Sequence, residues 1–93
     1  MHIFVTENDI KFFKALGDET RLCIVRFVLH KDFCACEFDA KTKRDQTTVS
    51  RHLKILEEAG ILKKQRKGRN IIFGIKNESM KKKLLLLGIK PCC

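Results

Sequence analysis

The chain has 93 residues, the length of a single domain, of which 44% are hydrophobic and 33% charged. This composition is typical of a globular protein. The sequence has no apolar run near the ~20 residues of a membrane span, and residues 1–9 do not have the pattern of a secretory signal. We therefore expect a cytoplasmic protein. The formal net charge of +9 favours a polyanionic partner such as nucleic acid.

Three helices are predicted in the first half of the chain, at about residues 9–16, 19–30 and 34–41. Gly17 and Asp18 separate the first two, because glycine commonly ends a helix and aspartate caps the start of the next. Each of these two helices has its apolar residues at helical spacing. They are Ile10, Phe13 and Leu16 in the first helix, and Leu22, Val25, Val28 and Leu29 in the second.

A fourth helix is predicted at residues 46–59, with Asp45 as its N-cap and Gly60 at its end. One face is apolar and is expected to face the core; it consists of Val49, Leu53 and Leu56. The opposite face is small, polar and cationic, as a helix lying in the major groove requires. This face consists of Thr47, Ser50, Arg51 and Lys54.

A β-hairpin is predicted after Gly60, with strands at residues 61–62 and 71–73 and a turn at Gly68. Its tip is almost entirely cationic, and its basic residues are Lys63, Lys64, Arg66, Lys67 and Arg69. A basic hairpin directly after a polar-faced helix indicates a winged helix-turn-helix, in which the wing contacts the DNA backbone. The alternative is an edge hairpin whose charges only prevent aggregation.

The last helix is predicted at residues 78–87 and contains four consecutive leucines, Leu84 to Leu87. Because four consecutive residues cannot share one helix face, some of these leucines must be buried by another surface. A partner subunit is the simplest such surface. The predicted fold is therefore mainly α, with about five helices and a two-stranded wing, in one domain that spans residues 1–93.

Three segments resemble the ArsR/SmtB family of metal-sensing repressors: residues 16–22 (LGDETRL), residues 46–62 (QTTVSRHLKILEEAGIL) and the basic tip at residues 66–69. The resemblance covers about residues 10–76. It implies a five-helix winged fold, a homodimer built from the first and last helices, and an operator of double-stranded DNA with two-fold symmetry. The turn before the fourth helix departs from the family pattern, because it is the basic segment Thr42-Lys43-Arg44.

The resemblance places DNA contacts at Gln46, Thr47, Ser50 and His52. With the polar helix face and the basic hairpin, the full expected set of DNA-contacting residues is Gln46, Thr47, Thr48, Ser50, Arg51, His52, Lys54, Lys63, Lys64, Arg66, Lys67 and Arg69. For His52 a second interpretation stays open. It lies beside the apolar face on a helical wheel, so it can hold the motif together through a hydrogen bond instead of contacting DNA.

The segment Cys34-Ala35-Cys36-Glu37-Phe38 resembles the family's third-helix sensing motif. Arsenic-sensing members have a third cysteine where this chain has Asp39, and Cys92 and Cys93 at the C-terminus can supply the missing thiolates. The expected metal ligands are therefore Cys34, Cys36, Cys92 and Cys93. They would bind As(III), Cd(II) or Pb(II) as an effector, because soft ions prefer thiolates; no cofactor is required.

Two alternatives for the cysteines stay open. Cys34 and Cys36 can be ordinary half-buried thiols beside a frayed tail, or they can pair with Cys92 or Cys93 as a redox sensor. Cys23 is expected to be structural.

The sequence thus predicts a DNA-binding transcriptional repressor that a thiophilic ion releases. Its alternatives are a redox-sensing regulator of the same fold and a winged-helix module that binds an acidic protein. An enzyme is not expected, because the sequence has no glycine-rich phosphate loop, no paired carboxylates and no Cys-His nucleophile pattern.

Overall fold

The computed structural model describes residues 7–38 and 45–91, which form a helical core with a small sheet at one side. The described helices are α1 (Glu7–Leu16), α2 (Glu19–His30), α3 (Gln46–Glu58) and α4 (Glu78–Leu86). The strands are β1 (Phe33–Cys34), β2 (Leu62–Lys67) and β3 (Asn70–Ile75), and a 3-10 turn covers Ala35–Glu37. None of the helices in these two ranges is both long and apolar enough to cross a membrane.

The predicted first and second helices are present, and α1 begins two residues earlier than expected, at Glu7. Asp18 caps α2 as predicted, since its carboxylate accepts the backbone N–H of Arg21 at 3.0 Å. The side of α1 that packs on the core is formed by Phe12 and Ala15. Of the predicted face, Leu16 is half-buried and packs against the core, whereas Ile10 and Phe13 are 46% and 57% exposed and point away from it.

Helix α3 agrees with the sequence in its boundaries and in its buried face. Val49, Leu53 and Leu56 are buried in the main hydrophobic cluster. The Asp45 carboxylate accepts the backbone N–H of Thr48 at 2.7 Å. This hydrogen bond is the main reason why the pKa of Asp45 lies below its usual value. The cap is therefore retained at any pH at which the carboxylate is ionised, and it weakens in acid as the carboxylate is protonated.

The hairpin of β2 and β3 is the predicted wing, and Gly68 occupies its turn at φ +63°. The sheet has a third strand that the sequence did not predict, because β1 pairs antiparallel with β3. In this register Phe33 lies opposite Phe73, and Cys34 lies opposite Ile72.

The third strand corrects the predicted third helix. A helix beginning at Cys34 is wrong, since Cys34 has extended backbone angles (φ −66°, ψ 142°) and a 3-10 turn follows it. Pairing with a strand about forty residues away determines this conformation, and a local pattern does not show such pairing. The rest of that predicted helix, from residue 39 onward, lies outside the described residues.

A row of phenylalanine rings joins β1 to the core. The ring of Phe33 lies 6.1 Å from that of Phe27 and 5.7 Å from that of Phe38, and the Phe38 ring lies 6.5 Å from that of Phe73. All these pairs are edge-on, which is a favourable arrangement for aromatic rings. The strand that carries Cys34 is therefore held firmly between α2 and the wing.

Helix α4 begins after Asn77, whose side-chain oxygen accepts the backbone N–H of Met80 at 2.8 Å. Of the four leucines at residues 84–87, the last of which follows the end of α4, only Leu84 enters the core, where it is fully buried. Leu85, Leu86 and Leu87 are exposed, Leu86 by 88%. Together with Ile10 and Phe13 of α1, they leave the two terminal helices with apolar surface that the described chain does not cover.

The difference between Leu84 and Leu86 can be measured with one substitution at two positions of the same helix. Leu84→Ala should lower the free energy of unfolding by about 2–5 kcal/mol, because it leaves a cavity in the core. Leu86→Ala should change it by about 0.5 kcal/mol or less, because that side chain is already in water. Urea unfolding followed by circular dichroism at several protein concentrations makes the comparison, and equal losses at the lowest concentration would contradict the placement of α4.

Candidate nucleic-acid interface

The outward face of α3 carries most of the side chains expected to contact DNA. Gln46, Thr47, Ser50, Arg51 and Lys54 are all exposed. They lie opposite the buried Val49, Leu53 and Leu56, so the packing of α3 on the core directs this polar face to solvent. Thr48 is half-buried, and its backbone N–H serves the helix cap.

His52 differs from its neighbours, because its side chain turns toward α2. Its Nδ1 lies 3.1 Å from Nη1 of Arg21 and 4.0 Å from a carboxylate oxygen of Asp18. The His52 side chain is only 16% exposed. The structure therefore separates His52 from the exposed set and places it in the contact between α2 and α3, where neither Arg21 nor Asp18 was expected as a partner.

The wing presents its cations to solvent. The five expected residues are all exposed along β2 and its turn: Lys63, Lys64, Arg66, Lys67 and Arg69. In β2, only the first residue, Leu62, is buried, so the strand is free to meet a polyanion. Positive side chains that are free in water bind phosphates by releasing condensed counterions.

A groove of about 380 Å³ separates α3 from the wing. Ser50 and Lys54 line it from the helix, and Lys64 lines it from β2. The Lys64 ammonium also lies 3.8 Å from the carboxylate of Glu57, which links the wing to the end of α3. A hydroxyl and two ammonium groups around one groove are suited to a phosphate backbone. The ion pair of Glu57 with Lys64 was not predicted from the sequence, because the two residues lie in different elements, α3 and β2.

Cys34 and Cys36 converge at the edge of the sheet. Their sulfur atoms lie 2.8 Å apart, with Cys34 half-buried and Cys36 exposed. The Glu37 carboxylate accepts the backbone N–H of Cys34 at 2.8 Å and closes the turn. The hydrogen bond with the Cys34 thiol raises the pKa of Cys36, and burial and the nearby negative charges of Cys34 and Glu37 act in the same direction.

This pair supplies two soft ligands and no complete metal site. Within residues 7–38 and 45–91, no group of three or more His, Cys, Asp or Glu side chains is placed to hold an ion. Cys92 and Cys93, the other two expected ligands, lie outside the described residues, and so does Asp39. Cys23 lies half-buried in α2.

Known proteins are similar to this chain in sequence and in fold. Residues 18–64 match the family described as "Bacterial regulatory protein, arsR family". An uncharacterised HTH-type transcriptional regulator of Methanocaldococcus jannaschii is 34% identical over 82 residues, which are 87% of this chain and 92% of that protein. The cadmium resistance transcriptional regulatory protein CadC of Listeria innocua is 35% identical over 75 residues, which are 80% of this chain and 63% of CadC.

Among solved structures, the chain is similar to the homodimeric winged helix-turn-helix DNA-binding domain of a possible ArsR-family transcriptional regulator from Mycobacterium bovis. The TM-score is 0.84 at 22% identity, over 89% of this chain and 77% of that one. This likeness confirms the predicted winged helix-turn-helix fold. The family match covers half of the chain and the Methanocaldococcus relative is matched over nearly its full length; the chain therefore belongs to the ArsR family of transcriptional regulators, which are DNA-binding proteins and not enzymes.

Proposed function

We propose that this ArsR-family regulator is a homodimeric repressor that binds an operator through α3 and the wing and is released when a thiophilic ion binds at Cys34 and Cys36. The observation that carries the DNA-binding part is that Ser50 and Lys54 of α3 line one groove with Lys64 of β2, while the other cations of both elements are exposed. Exposed hydroxyl, amide and guanidinium groups on a helix can reach base edges in the major groove. Arg51 is the strongest candidate for base readout, because arginine pairs with guanine through two hydrogen bonds.

The dimer is proposed on the apolar surface of the terminal helices. Ile10 and Phe13 on α1, Leu85 and Leu86 on α4, and Leu87 directly after α4 remain exposed in the single chain. A chain of this size buries only about 60% of its unfolded surface and gains stability by association. The M. bovis relative in fold is described as homodimeric. Two copies would present two recognition helices to successive major grooves, about 34–36 Å apart.

The effector part of the proposal rests on the two sulfur atoms 2.8 Å apart. Thiolates are the preferred ligands of As(III), Cd(II) and Pb(II), and the name of CadC, a relative, refers to cadmium. Cys92 or Cys93 of the same or the other subunit would complete the ligand set. Because the pKa of Cys36 is raised, ion binding must displace a thiol proton and should be weaker in acid.

The position of β1 indicates how an ion on Cys34 would influence DNA binding. Cys34 lies opposite Ile72 of β3, and Ile72 lies opposite Gln65 of β2, next to the cations of the wing. A change in the conformation of β1 therefore acts on the wing through the sheet as well as on the segment that leads to α3. Release requires the ion to prefer the non-binding conformation, and coupling of this kind is typically about 1–3 kcal/mol.

A second candidate, a thiol-redox regulator, is favoured by the exposure of the Cys36 thiol, which an oxidant can reach. Two thiols and hydrogen peroxide would give one disulfide and two water molecules, and the partners would be Cys34 or Cys36 with Cys92 or Cys93. This mechanism uses the same residues without metal, so the choice between the two depends on the effector.

The DNA surface can be tested with one residue on α3 and one on the wing. Arg51→Ala should weaken binding to a duplex from the chain's own promoter by about 1–3 kcal/mol and reduce discrimination against a scrambled duplex. Arg66→Ala should weaken binding to both duplexes and reduce the slope of log affinity against log salt by about one. Fluorescence anisotropy in salt from about 50 to about 200 mM measures both.

Arg26→Ala is the matched control, because Arg26 is an exposed arginine on α2 whose Nε donates to the Lys90 carbonyl. It should bind like the unmodified protein. If Arg51→Ala leaves binding unchanged, α3 is not the recognition helix, and weak binding to every duplex would favour a protein-binding module.

Dimerisation can be tested at Leu86. Leu86→Lys should convert the dimer to monomer, because it places a charge in the proposed apolar interface. Sedimentation velocity measures the change, and Leu86→Met serves as the apolar control that should remain dimeric. A dimer that persists in Leu86→Lys would show that the subunits associate through another surface.

The effector can be identified by titrating the reduced protein, bound to its promoter duplex, with As(III), Cd(II) and Zn(II). Release by a thiophilic ion should lower the affinity about 5- to 150-fold. Cys34→Ser and Cys36→Ser should abolish release, whereas Cys23→Ser, the control thiol on α2, should retain it. Tight binding that no ion disturbs, but that peroxide abolishes in a Cys34-dependent manner, would overturn the metal proposal in favour of the redox regulator.

A further inference from the structure

Arg21 lies where α1, α2 and α3 meet. Its Nε donates to the carbonyl oxygen of Ala15 at 2.7 Å, and its Nη2 donates to that of Lys14 at 3.1 Å. Both acceptors belong to the last turn of α1. The remaining nitrogen, Nη1, lies 3.1 Å from Nδ1 of His52 on α3. One guanidinium thus connects a terminal helix of the chain to the helix that carries the proposed DNA contacts.

This contact specifies the protonation state of His52. A guanidinium has donors and no acceptor, so Nδ1 of His52 must supply a lone pair to Nη1. Only the neutral imidazole with its proton on Nε2 has that lone pair on Nδ1. When the ring takes up a second proton, the acceptor is lost and two positive groups face each other across about the same distance.

The surroundings offer the protonated ring a different partner. A carboxylate oxygen of Asp18 lies 4.0 Å from Nδ1. The Asp18 carboxylate accepts the Arg21 backbone N–H, which is the main reason why the pKa of Asp18 is below its usual value. The charged groups along the neighbouring groove between α1 and α3 are Lys11 and Lys14 from α1, Arg21 from α2 and Glu58 from α3. Protonation therefore replaces an Arg21 contact with attraction toward Asp18, at the start of α2.

The consequence reaches DNA because His52 directly follows Arg51 and Ser50 on α3. A rotation of α3 that moves the His52 ring away from Arg21 would also change the directions of the exposed Ser50 and Arg51 side chains. We propose that Arg21 is a positioning residue for DNA recognition, which holds α3 against α1 through neutral His52, so that protonation of His52 lowers operator affinity. This inference depends on the proposed DNA-binding function and assigns Arg21 and His52 a role within it.

The inference predicts a sign opposite to that of a direct DNA contact. If His52 touched a phosphate, protonation would add a positive charge at the DNA and strengthen binding. If His52 is held by Arg21, protonation weakens binding. The two signs can be distinguished by measuring DNA affinity at two pH values.

The experiment compares the unmodified protein with His52→Asn and His52→Ala at about pH 7.5 and about pH 5.5. The amide oxygen of asparagine stands as many bonds from the backbone as Nδ1, so it can accept from Arg21 but does not titrate. The unmodified protein should lose about five- to tenfold in affinity for its promoter duplex at the lower pH. His52→Asn should bind more tightly than His52→Ala and should show no such loss. Tighter binding of the unmodified protein at low pH, or the same loss in His52→Asn, would overturn the proposal.

A second measurement is made on the free protein and separates this proposal from the proposed function. Nitrogen-15 NMR of the His52 ring at about pH 7.5 should show the proton on Nε2, and Arg21→Lys should alter the Nδ1 signal because it removes the forked donor. Circular dichroism establishes that each variant is folded. A protein that binds no duplex at either pH refutes the proposed function, whereas normal DNA binding with a proton on Nδ1 refutes only the role of Arg21.

Discussion

The packing of α3 on the core is the interaction on which the rest of the structure depends. Val49, Leu53 and Leu56 are buried in the hydrophobic cluster, and a helix that buries one face necessarily presents the other to solvent. The outward face of α3 therefore carries the exposed hydroxyls and cations, and the chain after Gly60 leads directly into the wing. A charged residue among the three buried positions would disturb the fold and the orientation of the DNA surface together.

The small sheet connects two parts of the molecule that are distant in sequence. Strand β1 carries Cys34, β2 carries the basic side chains, and β3 pairs with both. The rings of Phe33 in β1 and Phe73 in β3 pack edge-on against the ring of Phe38, and these contacts couple the sheet to the core. The proposed effector site at the paired thiols and the proposed phosphate contacts of the wing thus belong to one hydrogen-bonded sheet, which offers a direct physical route between them.

Helix α1 has two faces with separate roles. Phe12 and Ala15 pack on the core, whereas Ile10 and Phe13 are exposed. The last turn of α1 supplies the carbonyl oxygens that anchor Arg21, and Arg21 reaches His52 on α3. The proposed association surface on α1 and the orientation of α3 are therefore linked through one side chain.

The sequence by itself determined the features that depend on neighbouring residues. The cap and the buried face of α3 follow from Asp45 and a helical spacing of apolar residues, and the wing follows from a glycine turn between two apolar runs; both were predicted and are present. On a helical wheel His52 lies beside the apolar face of α3, so the sequence also allowed the interpretation that His52 packs inside the motif. These features depend on local periodicity and on hydrogen bonds that span three residues.

Only the tertiary structure decided the rest. A helix was predicted from Cys34, but Phe33 and Cys34 form a strand because they pair with residues of β3 about forty positions away. The partner of His52 is Arg21, 31 residues earlier, and the exposure of Ile10 and Phe13 depends on which side of α1 meets α2. Such contacts join residues that no local pattern relates, since the spacing of apolar residues shows that a helix has a buried face but does not show what packs against it.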